Sequence, residues 1–500
     1  MKSLLILFIL FVFLSGCSPI VDECGPYAQV HASTDEVDGD GCDVKSALKD
    51  IEVIAPRLIG ANHTIRTSTV PQPQGSWFDK AVIYEINVRQ YSKDGTFEAV
   101  TKDLERIKEM GVTILWLMPI HPISEVNRKG NLGSYYSIAD YYDVNPEFGT
   151  MEDFDNLVKS AHDLGFKVIL DLVINHTGWD HPWISEHPEY YVQDNDKIIH
   201  PRGTDWEDVA QLNFSNPELV EELVAMTTYW VEKHNIDGYR ADVAGLVPVT
   251  VWEKIHQSLI EVNPEVFMLA EDHTVTNWFD VFHSNYGGWP LMRVFRSIAN
   301  GNDNDQLFFD YLSTSHRMYP KGNFPMIFTT NHDENSWNGL PKDQYKDHLS
   351  LVNALTFLLP GLPLIYNGQE SSLEKQLLFF EKDEIDWNNY DLMGMYEELI
   401  SLKKANDALN TTNHVHSTVW IEDENPSVLS FLRVSSSSEN KVLVLANLSS
   451  KEQSIVVHLS DEYAGMFKVW KENDVIALPK LFEVTLQPLE LKVFTFPGVR

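Results

Sequence analysis

Positive charge is scarce in this chain. Its 500 residues carry 38 Lys and Arg against 73 Asp and Glu, a formal net charge of −35. A phosphate backbone would be repelled by such a surface, which speaks against nucleic acid as a partner. Acidity alone says little about fold; it favours solubility and neutral or cationic partners. No Cys/His cluster with metal-ligand spacing, no glycine-rich phosphate loop, no low-complexity tract and no internal repeat stands out. No redox or nucleotide cofactor is implied. Cysteine is nearly missing too, at three residues. What remains is 43% hydrophobic and 11% aromatic, ample for a large core plus a second domain.

The first 17 residues bear on location. Lys2 precedes an unbroken apolar run, Leu4 to Leu14, too short to span a membrane as a mature helix and matching a secretory signal. Its LSGC ending resembles a bacterial lipoprotein signal, in which Cys17 becomes the lipidated first residue. The expected location is the cell envelope, held to the membrane through a lipid. Ser18 is compatible with outer-membrane sorting, and the acidic pair Asp22-Glu23 hints at surface export. Cys24 and Cys42 either pair in an oxidising compartment or stay as free thiols. Residues 18–76 read as a tether, with the stretches DEVDGDGCD and PQPQG, though Val53 to Ile59 could pack on the domain behind it.

From Trp77 onward strand and helix alternate. AVIYEINV (81–88) reads as a first strand, and FEAVTKDLERIKEMG as a helix stopped by Gly111. VTILWLMPI is a second strand, and FKVILDLVIN a third. Between them Thr150 to Gly165 reads as a helix, with Thr150 as N-cap, Asp153 three residues on, and Gly165 as terminator. A Pro- and Trp-rich excursion, 176–215, precedes a helix begun by Asn216 and Pro217. IDGYRAD, VFMLAE, PMIFTTN and LPLIYNGQE give strands four, five, seven and eight, with a sixth placed near 279–283. Eight alternations predict a (β/α)₈ barrel over 77–175 and 216–410, with 176–215 as an inserted domain after strand three. The rival, an open doubly wound sheet, usually has a glycine-rich first turn, which residues 88–96 lack. After about residue 410 the helix periodicity stops. Six short strands follow, predicting a separate antiparallel β-sandwich over 411–500.

Four apolar strands end in polar groups: DLVINH at 171–176, GYRAD at 238–242, MLAE at 268–271 and TTNHD at 329–333. Each delivers a carboxylate to the barrel end where such enzymes keep their catalytic groups. Arg240 and Asp242 are two residues apart, so both face the lumen while Tyr239 and Ala241 face the helices. An adjacent guanidinium favours the ionised carboxylate that a nucleophile needs, although a buried Arg–Asp pair is also a common structural device. Glu271 has an apolar approach, which raises a carboxyl pKa and suits a proton donor; a helix-capping role is the plain alternative. Neighbouring strands lie about 4.8 Å apart, so the two acids could reach the roughly 5–5.5 Å of retaining glycosidases. His332, Asp333, Asn175 and His176 individually also suit ordinary loop capping.

In order and approximate spacing these four runs resemble the signature regions of the α-amylase family, glycoside hydrolase family 13. The resemblance extends to GVTILWLMPI, GSYYSIADYYDVNPEFGT, the VAQLN segment at 209–213 and NGQE at 367–370, and covers about residues 77–500. It implies Asp242 as nucleophile, Glu271 as general acid/base and Asp333 as transition-state stabiliser. Arg240, His176 and His332 would hold the sugar at the cleaved bond, with Tyr136 stacked beneath it. Asn175 matches a calcium ligand of the family, so calcium is an optional cofactor; the remaining ligands are not identified. The run Asp242-Val243-Ala244-Gly245 departs from the Lys-His that many starch-type amylases carry there, which places the chain nearer the neopullulanase and oligoglucosidase branches. In the insertion, Trp179, Trp183 and Trp206 would wall the cleft or form the small domain's core, with core favoured for Trp183. The spacing of His181 and His187 specifies no metal site. The implied function is a retaining hydrolase of α-glucans or maltooligosaccharides. A transglycosylase on the same site and a non-catalytic glucan-binding lipoprotein are its rivals.

Overall fold

The computed structural model describes residues 57–59, 77–273, 279–387, 389–413, 417–472 and 474–496. The signal segment, the lipidation candidate Cys17, Cys24, Cys42 and nearly all of the tether lie outside them. Among the described residues no helix is long and apolar enough to cross a membrane.

Eight parallel strands close into a barrel: β1 (Ile83–Ile86), β2 (Ile114–Leu117), β3 (Lys167–Leu172), β4 (Gly238–Ala241), β5 (Phe267–Ala270), β6 (Ser284–Asn285), β7 (Phe324–Ile327) and β8 (Leu362–Tyr366). The last strand pairs with the first, Leu364 opposite Ile83. The lumen is filled by Ile83, Ile114, Trp116, Ile169, Phe267, Leu269, Met326 and Leu364, all buried. Side chains alternate along a strand, so residues two positions above this layer also face inward. Ile83 is thus followed by Glu85, Ile169 by Asp171, Gly238 by Arg240 and Leu269 by Glu271. An apolar plug therefore carries a polar layer at its carboxyl end. That layering places the site.

β6 is shorter and later than its expected position near 279–283; it is the polar pair Ser284–Asn285, two residues after Phe282. Its ladder partners are Leu269 and Ala270 on one side and Phe324 and Pro325 on the other. Local glycine chemistry supports the neighbouring strands. Gly238 opens β4 at φ +153°, and a Cβ there would sit 1.9 Å from the Phe267 carbonyl oxygen, so only glycine lets β4 and β5 meet. The helix Phe97–Met110 ends on Gly111 in the left-handed region. The helix Met151–Asp163 opens with a reciprocal Thr150–Asp153 capping box, and Pro217–Lys233 with Asn216 as N-cap. Residues 176–215 form two small antiparallel ribbons, His176–Gly178 with Val209–Gln211 and Gln193–Asp194 with Lys197–Ile198.

Eight further strands follow: β9 (Thr418–Trp420), β10 (Val428–Val434), β11 (Lys441–Asn447), β12 (Gln453–His458), β13 (Gly465–Val469), β14 (Val475–Leu478), β15 (Leu481–Leu486) and β16 (Leu491–Phe496). Six of them form an antiparallel sheet that Arg57–Leu58 joins as an edge strand beside β9, while β12 and β15 pair separately. The C-terminal antiparallel sheet packs against the barrel helices through a shared apolar cluster. Leu429, Phe431, Val442 and Val444 pack in one cluster with Phe295, Phe308, Leu351 and Leu355. Val428, Leu432, Leu443 and Leu445 pack on the opposite face with Ile455, Val457 and Leu486. Burial on both faces is why VLSFLRV and KVLVLAN read as near-continuous apolar runs.

Candidate active site

Arg240 is the hub. It is fully buried at the end of β4 and shares one guanidinium among three carboxylates. Nη1 donates to Asp171 Oδ1 at 2.7 Å and to Asp242 Oδ1 at 3.0 Å, and Nε donates to Tyr286 Oη at 3.0 Å. Nη2 lies 2.8 Å from Glu271 Oε1, an ion pair in which no N–H is aligned for a hydrogen bond. Trp116, Tyr136 and Tyr286 surround the guanidinium with their rings at 5.2–5.7 Å. Three acids around one cation leave a net negative, desolvated cluster. Burial pushes both the Asp242 and the Glu271 carboxyls up; Glu271 raises Asp242 further, while Arg240 opposes the rise in each. The pair therefore titrates as a unit and holds a proton above the usual carboxylate range.

Val243, directly after Asp242, stands at φ +35°, a left-handed conformation that costs a β-branched residue about 1–3 kcal/mol. That conformation accompanies the aim of its backbone N–H at Glu271 Oε2, 2.7 Å away. Asp333 follows β7 and is more than a third exposed. It opens a five-residue π-helical turn, Glu334–Asn338, on which Trp337 is 55% exposed. His332 Nδ1 faces Glu85 Oε1 at 2.5 Å, and its Nε2 lies 2.7 Å from Tyr136 Oη and 3.4 Å from Asp333 Oδ2.

A cleft of about 580 Å³ opens above this hub. Tyr136, His176, Asp242, Glu271, His332 and Asp333 line it, while Arg240 sits beneath its floor. Seven residues expected from sequence thus converge from five different segments. Burial pushes His176 down to about 4, so its imidazole is neutral. Trp206 lines the cleft opposite, its ring 5.7 Å from His176. Trp183 is core, packed on His181 and Tyr141, and Trp179 donates to the Glu207 carbonyl oxygen.

Asn175, the expected calcium ligand, is bound into the base of the small ribbon: its side-chain oxygen accepts from Gln211 Nε2 at 3.1 Å. Its amide nitrogen is 3.0 Å from His176 Nδ1. Among the described residues no group of three His, Cys, Asp or Glu side chains is arranged to hold a metal. Through these contacts Asn175 joins His176 to the ribbon carrying Gln211.

Several residues in and beneath the cleft escape a sequence reading. Glu85 is a single acid inside an apolar strand, legible only through strand parity. Lys129 bridges the rim, bonding the Asp205 carbonyl oxygen at 2.7 Å and pairing with Asp208 at 3.1 Å. Phe379 lies parallel to Tyr136, centroids 6.2 Å apart, and tilts against Trp337 at 5.3 Å. An adjacent Phe-Phe pair after β8 was the one available signal.

Known proteins show the same arrangement of fold. Residues 87–206 and 203–277 match the family model described as alpha amylase, catalytic domain. The chain is 29% identical over 337 residues to Alpha-amylase 3 of Dictyoglomus thermophilum, covering 60% of this chain and 65% of that one. It is 26% identical over 488 residues to Neopullulanase 2 of Thermoactinomyces vulgaris, covering 86% and 79%. The match to a second amylase, Alpha-amylase MalA of Haloarcula japonica, takes in 58% of that protein's length. So the chain spans less than two thirds of each of these two amylases. Among solved structures, an alpha-amylase from Lactobacillus plantarum superposes with a TM-score of 0.74 at 29% identity, covering 83% of this chain and 99% of that one. A noncanonic maltogenic alpha-amylase, AmyB of Thermotoga neapolitana, gives 0.74 at 29% identity, covering 84% and 99%.

Proposed function

We propose that this chain, which carries the catalytic domain of the alpha-amylase family and whose relatives act on α-glucosidic bonds, is a retaining hydrolase of α-glucans or maltooligosaccharides. One observation carries the reading: a single buried guanidinium touches both Asp242 and Glu271 at the base of one cleft. Asp242 is the nucleophile: it follows β4 in the cleft, and an aligned Arg240 hydrogen bond fixes the position of its carboxylate. Glu271, whose carboxyl burial pushes up against Arg240, delivers its proton to the leaving glycosidic oxygen. Asp242 forms the bond to the anomeric carbon as the leaving oxygen departs. Glu271 then takes a proton from the water that releases the glycosyl group.

Around this step Asp333 faces the positive charge that develops on the sugar ring, and His332 holds a sugar hydroxyl. Tyr136 gives the pyranose an apolar face, and His176 offers an uncharged hydrogen-bonding group to a hydroxyl. Asp242→Asn keeps the shape and removes the nucleophile, so release of reducing sugar from maltotriose should fall at least ~10⁴-fold. Release within tenfold of the parent would overturn the assignment.

A second reading, transfer to a sugar acceptor, is favoured by the exposed Trp337 and its Phe379 neighbour. An aromatic rim can hold a sugar where water would otherwise attack. Longer products at high maltooligosaccharide concentration would support it. Lipidation at Cys17 and attachment to the cell envelope are part of the same proposal, resting on the LSGC signal. Metabolic palmitate labelling that disappears in Cys17→Ser is the expected result; labelling that persists would refute it.

A further inference from the structure

Glu85 stands at the end of β1 with none of its surface exposed, and its Oε1 faces His332 Nδ1 at 2.5 Å. A chain of contacts leaves the other side of that ring. His332 Nε2 is 2.7 Å from Tyr136 Oη, and Tyr136 Oη donates to Asp171 Oδ2 at 3.1 Å. Asp171 Oδ1 in turn accepts from the same Arg240 Nη1 that donates to Asp242. Chemistry fixes the direction of this chain. Burial raises the Glu85 carboxyl and the facing His332 opposes that rise; with Glu85 ionised the carboxylate only accepts, and His332 carries a proton on Nδ1. The tyrosine hydroxyl has a single proton to give. If Nε2 is also protonated, it donates to Tyr136 Oη, and the tyrosine proton is free for Asp171. If Nε2 is bare, it competes for that proton, and Asp171 loses a donor.

We propose that Glu85 is a positioning residue: it keeps His332 protonated on both nitrogens, aims the Tyr136 hydroxyl at Asp171, and so fixes Arg240 against Asp242. Besides Glu85, the groups facing His332 are Tyr136, Asp333 at 3.4 Å, the Asp171 and Glu271 carboxyls and the Arg240 charge, with the Trp116 ring edge-on at 5.9 Å. Burial and Arg240 work against the imidazolium. Asp333 and Glu85 outweigh them, and the ring is pushed up to about 9. Asp333 is more than a third exposed and therefore screened, so the buried Glu85 is the stronger anchor.

The geometric part of this inference stands without the hydrolytic reading; its kinetic consequence rests on it. The test is a pH titration of the full chain carrying ¹⁵N-labelled histidine, with the His332 signals assigned from His332→Gln. In the parent both ring nitrogens should stay protonated at pH 8. In Glu85→Gln the ring should lose its proton at least tenfold more readily, titrating at least one pH unit lower. The alkaline limb of kcat/KM on maltotriose should move down by a similar interval, with Glu85→Asp restoring part of it. A parent His332 that is already neutral at pH 8 overturns the proposal, and so does a Glu85→Gln limb that stays in place. Should Glu85→Gln fail to fold, the parent titration alone decides. A chain inactive on every sugar would count against the hydrolytic reading and leave the titration standing.

Discussion

Two arginines of this molecule are equally hidden from water and do opposite things. Arg240 in the barrel is 0% exposed and Arg433 in the C-terminal sheet 1%. Arg240 meets three carboxylates, which hold its pKa well above the ordinary guanidinium value against the effect of burial. Among the described residues Arg433 hydrogen-bonds to carbonyls: Nη1 donates to Leu358 O at 3.0 Å and Nη2 to Asn413 O at 2.5 Å. Burial pushes Arg433 down to about 9. A guanidinium does not release its proton in practice, so at this position the fold bears the cost of a buried charge. The return is a joint. Leu358 ends the helix Leu349–Leu358, and Arg433 satisfies one of its orphan carbonyls, tying the sheet to the barrel. Burial alone is thus no mark of a site; the partners decide.

Arg240→Met should break the contrast most severely. It strands three buried carboxylates, so a stability loss of about 3–5 kcal/mol is expected, with activity down roughly 10³-fold or more. Denaturant unfolding and maltotriose turnover read the two effects, and an active, stable variant would remove Arg240 from the hub. Next comes the pH dependence of His332. A raised folded-state pKa contributes stability that is complete below about 6.5 and is lost as pH rises through about 9. The bound on that loss is about 3 kcal/mol. A melting-temperature series from pH 6 to 10 should show the decline, and Glu85→Gln should flatten it. The smallest effect belongs to Arg433→Met. It should cost about 1–3 kcal/mol from the two carbonyls left unpaired, with kcat/KM within about twofold of the parent. An equal loss of activity would mean the joint and the site are one unit.

The same contrast explains what could be read in advance. β1 to β5, β7 and β8 are legible because both faces of a barrel strand are buried and the apolar run is unbroken. β6 was misplaced because its two residues, Ser284 and Asn285, are polar and are held by ladder bonds to strands that lie far away in sequence. β14 and β15 were missed because Pro479 and Lys480 interrupt VIALPKLFEVTL at its turn, and most of its residues are exposed. Strand-end acids announce themselves after an apolar run, which is how Asp242, Glu271 and Asp333 were found. Glu85 does not, because a lone acid inside a strand has the same appearance whether it faces a lumen partner or a helix. Nor can spacing reveal that Asn175 is already paired with Gln211, since 36 residues separate them. Pairings across the barrel exist only after closure.

The measurement that reaches the centre of the account is the anomeric configuration of the first sugar released from a maltooligosaccharide, followed by proton NMR before mutarotation. Attack by Asp242 and then by water at the same carbon inverts it twice, so the α-anomer should appear first. A β-anomer first would mean direct attack by water, and Asp242 could not be the nucleophile.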